Sequence, residues 1–153
     1  MKVLIVEDEL LTLEFLAEAL ADDDIELYVA KSANDAIGIA MTVNPDLIIT
    51  DINMPGKSGL ELSAEIKSNY ILSDTPILAV SADESATAVK GAFHALVVDY
   101  IEKPVNPQYL KQLVKMHSSL HNISQASNNF QMVVNNVIQQ LHKINICKEH
   151  AVH

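Results

Sequence analysis

Acids, a hydroxyl and a lysine stand at the ends of short apolar runs in this chain. Glu7-Asp8-Glu9 follow Val3–Val6, and Asp51-Ile52-Asn53-Met54-Pro55-Gly56 follow Leu47–Thr50. Ser81-Ala82-Asp83 follow Ile77–Val80, and Glu102-Lys103-Pro104 follow Tyr100–Ile101. If those runs are neighbouring parallel strands, three carboxylates, a hydroxyl and one lysine converge on one rim. Carboxylates held that close repel by ~1–4 kcal/mol per pair at ~4 Å, between the limits of bulk water and a protein surface. A hard divalent cation relieves the repulsion. Mg²⁺ characteristically takes one or two carboxylates, keeps several waters and accepts a phosphate oxygen.

The elements that must position these residues are legible as changes of hydrophobic period. Val3–Val6, Leu47–Thr50, Ile77–Val80, and Val97–Val98 with Tyr100–Ile101 are continuous apolar runs bounded by acids, Pro and Ser. Such runs suit strands buried on both faces, hence a parallel sheet covered by helices. Ile25–Ala30 is a weaker fifth strand. Between them the period becomes helical, with Leu10, Leu13, Leu16 and Leu20 forming a broad stripe beside Leu11 and Phe15. Ser32 is placed to cap a helix through Val43, which Asn44-Pro45 stops. Ser58 and Glu61 read as a capping box for a helix to about Asn69. Asp83 is placed to cap a fourth helix, and Asn106 with Pro107 at the first helical position begins a fifth. Five βα units with right-handed crossovers give an α/β doubly wound open sheet, which binds ligands outside the carboxyl ends of its strands.

Composition excludes several classes. Apolar residues make up 49% and charged residues 20% of the 153, enough for one packed domain with a short excess. The net charge is −10, and all ten cations are lysine. An acidic chain with no guanidinium is a poor partner for nucleic acid, so direct DNA or RNA contact is not expected. Cys147 is alone, which rules out an intrachain disulfide or a cysteine metal cage. An acid arrives too early at the N-terminus for a signal peptide, and no run approaches a membrane span. A cytoplasmic protein without membrane insertion is expected.

The four end-of-strand pieces together resemble the CheY-like receiver domain of bacterial two-component response regulators, over residues 2 to about 119. The resemblance rests on Val3–Glu9, Asp46–Gly56, Val80-Ser81-Ala82 and Asp99–Pro104 in that order. It implies a flavodoxin-like five-stranded parallel sheet in the order 2-1-3-4-5, with helices on both faces. It implies Asp51 as the phosphoacceptor, taking a phosphoryl group from a sensor histidine kinase or phosphotransfer protein. Mg²⁺ would be held by Asp8, Asp51 and the backbone carbonyl of Asn53, with Glu7 acting mainly through a bound water. Lys103 would pair with phosphoryl oxygens, Ser81 would hydrogen-bond one of them, and Tyr100 would be the aromatic that turns inward as Ser81 moves. In-line phosphoryl transfer needs positioning and charge neutralisation more than covalent help, and a metal with one lysine supplies both. Glu7 replaces the more frequent aspartate and Ser81 the more frequent threonine; neither change removes a needed group. Such a chain is a phosphoacceptor and not an enzyme. An aspartyl phosphatase would want a second aspartate where Asn53 stands, and a dinucleotide enzyme a glycine-rich turn where Glu7-Asp8-Glu9 stands. Its output would pass to a downstream protein. The alternative is a receiver cut from a longer regulator with a DNA-binding or enzymatic output domain.

Residues 1–120 are therefore expected to form the receiver domain and 121–153 a helical C-terminal extension. Residues 1–119 hold 8 Lys against 19 Asp and Glu, net −11, while 120–153 hold Lys143, Lys148 and Glu149, net +1. Phe130, Val134, Val137, Leu141 and Ile144 follow alternating steps of four and three, the seam of a coiled coil. Read backwards, the register passes Ser127, Ile123, Leu120, Met116, Leu113 and Tyr109. Ser124–Asn129 is poor helix material, so a break is expected there, then a separate helix from about Asn129 to Asn145. A homodimer through residues 123–145 is the first expectation for this stripe, ahead of packing on its own receiver. The histidines of the tail, His121, His142, His150 and His153, sit in no phosphotransfer or firm metal motif and read as solvated.

Overall fold

The computed structural model describes residues 1–82 and 96–151. Five strands, β1 (Lys2–Val6), β2 (Glu26–Ala30), β3 (Leu47–Asp51), β4 (Ile77–Ser81) and β5 (Asp99–Glu102), form one sheet in the order β2-β1-β3-β4-β5. Every pairing is parallel. The expected flavodoxin-like order is the observed one. The apolar runs form strands here because both faces of the sheet are covered. Val3–Val6, Leu47–Ile49 and Ile77–Val80 are all buried.

Alternation along each strand sends neighbours to opposite layers. Leu4, Val6, Ile48, Ile77 and Ala79 face a core shared with Ala36 and Ala40 of α2 (Ala33–Val43) and Leu62 and Ile66 of α3 (Gly59–Ser68). Val3, Ile5, Ile49, Leu78 and Val80 face the other, shared with Leu13 and Leu16 of α1 (Leu10–Ala19) and with Leu110, Leu113 and Val114 of α4 (Pro107–Ala151). Burying each of these Leu, Ile and Val side chains is worth about 1.5–3 kcal/mol. Caps fix where the helices begin. The hydroxyls of Ser32 and Ser58 each accept from a backbone N–H three residues on, at 3.2 Å, and Asn106 Oδ1 accepts from Tyr109 N–H at 3.1 Å. Lys111 and Lys115 both reach Asp22 Oδ2, at 2.8 and 3.0 Å, tying the start of α4 to the loop after α1. The Lys111 ammonium, the Asp24 N–H and the Lys115 ammonium together hold the half-buried Asp22 carboxyl far below the usual range.

Three expectations meet a different outcome or none. The fifth strand begins at Asp99 and not at Val97: the register with β4 starts at the Leu78–Asp99 pair, and Val98 N–H donates to Ile77 O just ahead of it. The break expected at Ser124–Asn129 is not there, and Pro107–Ala151 is one helix. Ser and Asn cost no more than about 0.7 kcal/mol each inside a helix, far less than Pro, and no Gly or internal Pro occurs in this stretch. The helix expected after Asp83 lies outside the described residues. The chain divides into two compact units, Met1–His121 and Asn122–His153. Among the described residues no helix is long and apolar enough to cross a membrane.

Among the described residues one glycine is required by contact. Gly59 N–H donates to Ile52 O at 2.9 Å, and a Cβ on Gly59 would lie 2.1 Å from the carbonyl oxygen of Asp51. Gly59→Ala must therefore push the end of β3 away from α3. The expected cost is at least the ~1–3 kcal/mol typical of overpacking, read as a lower urea midpoint; an unchanged midpoint would contradict so close an approach.

Candidate functional site

The register of the sheet brings the chemistry-bearing residues to one end. Val6 pairs with Thr50, so Glu7 and Asp51 leave adjacent strands side by side, and Asp51 itself pairs with Val80 of β4. Ser81, the last residue of β4, pairs with Glu102, and its carbonyl accepts the N–H of Lys103 at 2.7 Å. Lys103 thus leaves β5 aimed across the sheet end. Its Nζ lies 3.0 Å from Asp51 Oδ2 and 3.7 Å from Glu7 Oε2. The Lys103-Pro104 peptide is cis.

Both of those acids are buried, Glu7 to 1% and Asp51 to 7% relative exposure, whereas Asp8 is exposed. One carboxylate oxygen from each of Glu7, Asp8 and Asp51 lies within 4.8 Å of the others. Backbone donors fix two of the carboxylates. Asp51 Oδ1 accepts from Asn53 N–H at 3.2 Å, and Glu7 Oε1 accepts from Glu9 N–H at 3.1 Å. Glu7 Oε2 is buried with no hydrogen-bond partner among the described residues. A buried carboxylate oxygen left this way costs free energy unless it is protonated or meets a cation. The hard oxygen set and that orphaned atom fit a divalent cation of the Mg²⁺ type.

Electrostatics follow from the crowding. Burial, reinforced by the charge of Asp51, pushes the Glu7 carboxyl up to about 7, against the pull of Glu9 N–H and Lys103. Burial alone would lower Lys103, but the hydrogen bond and charge of Asp51, with Glu7 and Glu9 behind, raise it instead. The lysine is therefore a firm cation at neutral pH. Tyr100, in β5, is half-buried against the α2 and α3 core layer, and burial raises its phenol.

The structure brings Glu7, Asp8, Asp51 and Lys103 into one cluster and puts Ser81 on the adjoining strand end; Asn53 enters through its N–H. Asp83 lies outside the described residues. Periodicity missed one feature beside the cluster, an apolar cleft of about 290 Å³ lined by Leu11, Thr12, Phe15, Leu16, Lys103, Pro104 and Val105. Leu11 and Phe15, exposed at 74% and 42%, were legible only as extra width on the stripe of α1.

The Glu7 geometry makes a pH dependence. Folded Glu7 keeps its proton up to about pH 7, while the unfolded chain loses it near 4.5. The folded state binds the extra proton between those values, so metal-free stability falls as pH rises from 4.5 through 7, by roughly 3 kcal/mol at most. In Glu7→Gln that contribution disappears. Urea midpoints at pH 5, 6, 7 and 8 should show a steeper decline for the unsubstituted chain; parallel profiles would contradict the burial of an ionisable Glu7.

Comparison with known proteins agrees with the geometry. The response regulator receiver domain family matches residues 3–115. A curated relative from Pyropia yezoensis, "Probable transcriptional regulator ycf29", is 32% identical over 114 residues, which are 74% of this chain and 51% of the relative. The chain thus spans about half the length of that relative. The chemotaxis protein CheY4 of Vibrio cholerae has a similar structure, with a TM-score of 0.70 and 28% identity over 75% of this chain and 96% of that one. NtrX of Brucella abortus shares the fold, with a TM-score of 0.74 and 24% identity over 83% of this chain and 29% of that one. The fold is the one typical of phosphorelay signalling, and receiver domains act as phosphoacceptors, not as enzymes with separate substrates. With its sheet order, its acidic rim and a family match over most of its length, this chain belongs to the response regulator receiver domains.

Proposed function

We propose that the chain receives a phosphoryl group on Asp51 from a phosphohistidine of a sensor histidine kinase or phosphotransfer protein, and signals through contact with a downstream protein. The observation that carries this reading is the 3.0 Å contact between Lys103 Nζ and Asp51 Oδ2 at the acidic end of the sheet. Asp51 is nearly buried yet opens at a strand end, and its two oxygens are oriented by Asn53 N–H and Lys103. A carboxylate held in this way is aligned for in-line attack. The Asp51 oxygen forms a bond to phosphorus as the P–N bond to the imidazole breaks, and the imidazole leaves with that electron pair and is then protonated.

Mg²⁺ is the cofactor we assign; Asp8, Asp51 and the Asn53 carbonyl would hold it, with Glu7 acting mainly through a bound water, and it would supply charge neutralisation to the phosphoryl oxygens. The chain's own residues do the rest. Lys103 moves its ammonium from the carboxylate to a phosphoryl oxygen, the Ser81 hydroxyl donates to another, and Tyr100 follows Ser81 inward. The phosphoryl group adds about −1.5 to −2 charges to the rim, and that change biases the surface on the β4 and β5 side of the sheet.

A second reading keeps the same chemistry but makes the chain the receiver portion of a longer regulator. The coverage of only 51% of the curated relative favours it, and that relative's name points to transcription as the output.

Incubation with acetyl phosphate and Mg²⁺ should add a single phosphoryl group by intact mass, and Asp51→Asn should abolish the adduct. An unmodified mass, or an adduct that survives Asp51→Asn, would sink the assignment. Lys103→Ala should keep the fold and slow the reaction on the order of a hundredfold, the usual cost of removing one charge-stabilising donor; an unchanged rate would remove Lys103 from the chemistry.

A further inference from the structure

The helix α4 carries an exposed stripe that the phosphoryl site does not use. Ile123, Phe130, Val137, Leu141 and Ile144 are each at least half exposed, Phe130 to 70%, and Val134 is partly so. Together with Ser127 they keep strict steps of four and three from Ile123 to Ile144. A straight helix lying on a globular surface drifts about 20° per heptad from such a seam, whereas supercoiled helices hold it in register. The segment is also poor in helix-favouring residues, with Asn128, Asn129, Asn135 and Asn136 in it. Most helical stability comes from packing an apolar face, so this face calls for a cover.

Charge identifies what covers it. Ser124, Ala126, Gln131, Val133, Ile138 and Gln140, the positions beside the seam, carry no charge, and Lys143 is the one Lys, Arg, Asp or Glu between 122 and 144. A different helix would be selected by complementary charges at those flanking positions. None is present, and nothing there repels an identical helix, although residues 1–119 carry −11. Ser127 sets the direction. In a parallel pair it meets its own copy, so the two hydroxyls satisfy each other, whereas an antiparallel pair would press each against an apolar layer. We propose that residues 123–144 of α4 pair in parallel, in register, with the same segment of a second copy of this chain.

Light scattering on the full chain should give at least twice the single-chain mass. Phe130→Glu with Val137→Glu should reduce it to one chain, while Gln125→Glu with Gln139→Glu, away from the seam, should leave it unchanged. In a Cys147→Ser background, Ser127→Cys should form an intermolecular disulfide under mild oxidation. A single-chain mass at the highest soluble concentration overturns the proposal, as does association that survives the seam substitutions. Failure of the Ser127→Cys chain to cross-link while it remains associated overturns the parallel register.

Discussion

One ammonium, that of Lys103, faces the buried carboxyl groups of Asp51 and Glu7, with Asp8 close by, and this imbalance of charge organises the functional end of the molecule. Two buried acids beside one cation cannot both ionise without cost. Glu7 absorbs the conflict by holding its proton to about pH 7. The rest of the fold serves to keep the conflict in place. Parallel strands bring Glu7 and Asp51 out side by side, backbone N–H groups of Glu9 and Asn53 hold one oxygen of each, and the Ser81 carbonyl anchors the backbone of Lys103. Gly59 lets α3 press against the carbonyl of Asp51, so the strand end has little room to relax.

Much of this was legible in the sequence because the physics is local to each run. β1, β3 and β4 are continuous apolar segments, and burial on both faces is the condition that selects such segments. β2 was fainter, since Glu26 and Val29 are exposed and its pattern is that of an edge strand. The start of β5 was misplaced by two residues because apolarity marked Val97 and Val98, while the hydrogen-bond register with β4 selected Asp99. The positions of Glu7, Asp8, Asp51, Ser81 and Lys103 were readable from their place at strand ends. The proton on Glu7 was not, because it depends on how completely the neighbouring strands and the α1 loop exclude water.

The helix after Pro107 shows the limit of propensity. Ser124–Asn129 lowers helix preference, yet the run forms helix, because several small costs do not amount to a breaker. The heptad seam was the stronger signal, and it runs through the same residues. Charge divides the sequence in the same place, with acids concentrated in residues 1–119 and the remainder nearly neutral. The acidity that argued against nucleic acid on composition is thereby concentrated in the part that carries the cluster of Glu7, Asp8 and Asp51.

Calorimetric titration of Mg²⁺ tests the central claim most directly, because it reads the charge conflict itself. The account predicts one site that tightens as pH rises toward 8 and that releases protons near pH 6.5, as the cation displaces the proton held on Glu7. Glu7→Gln should abolish the proton release, and Asp51→Asn should weaken the site. Binding that is independent of pH and unaffected by either substitution, or no binding at all, would contradict it.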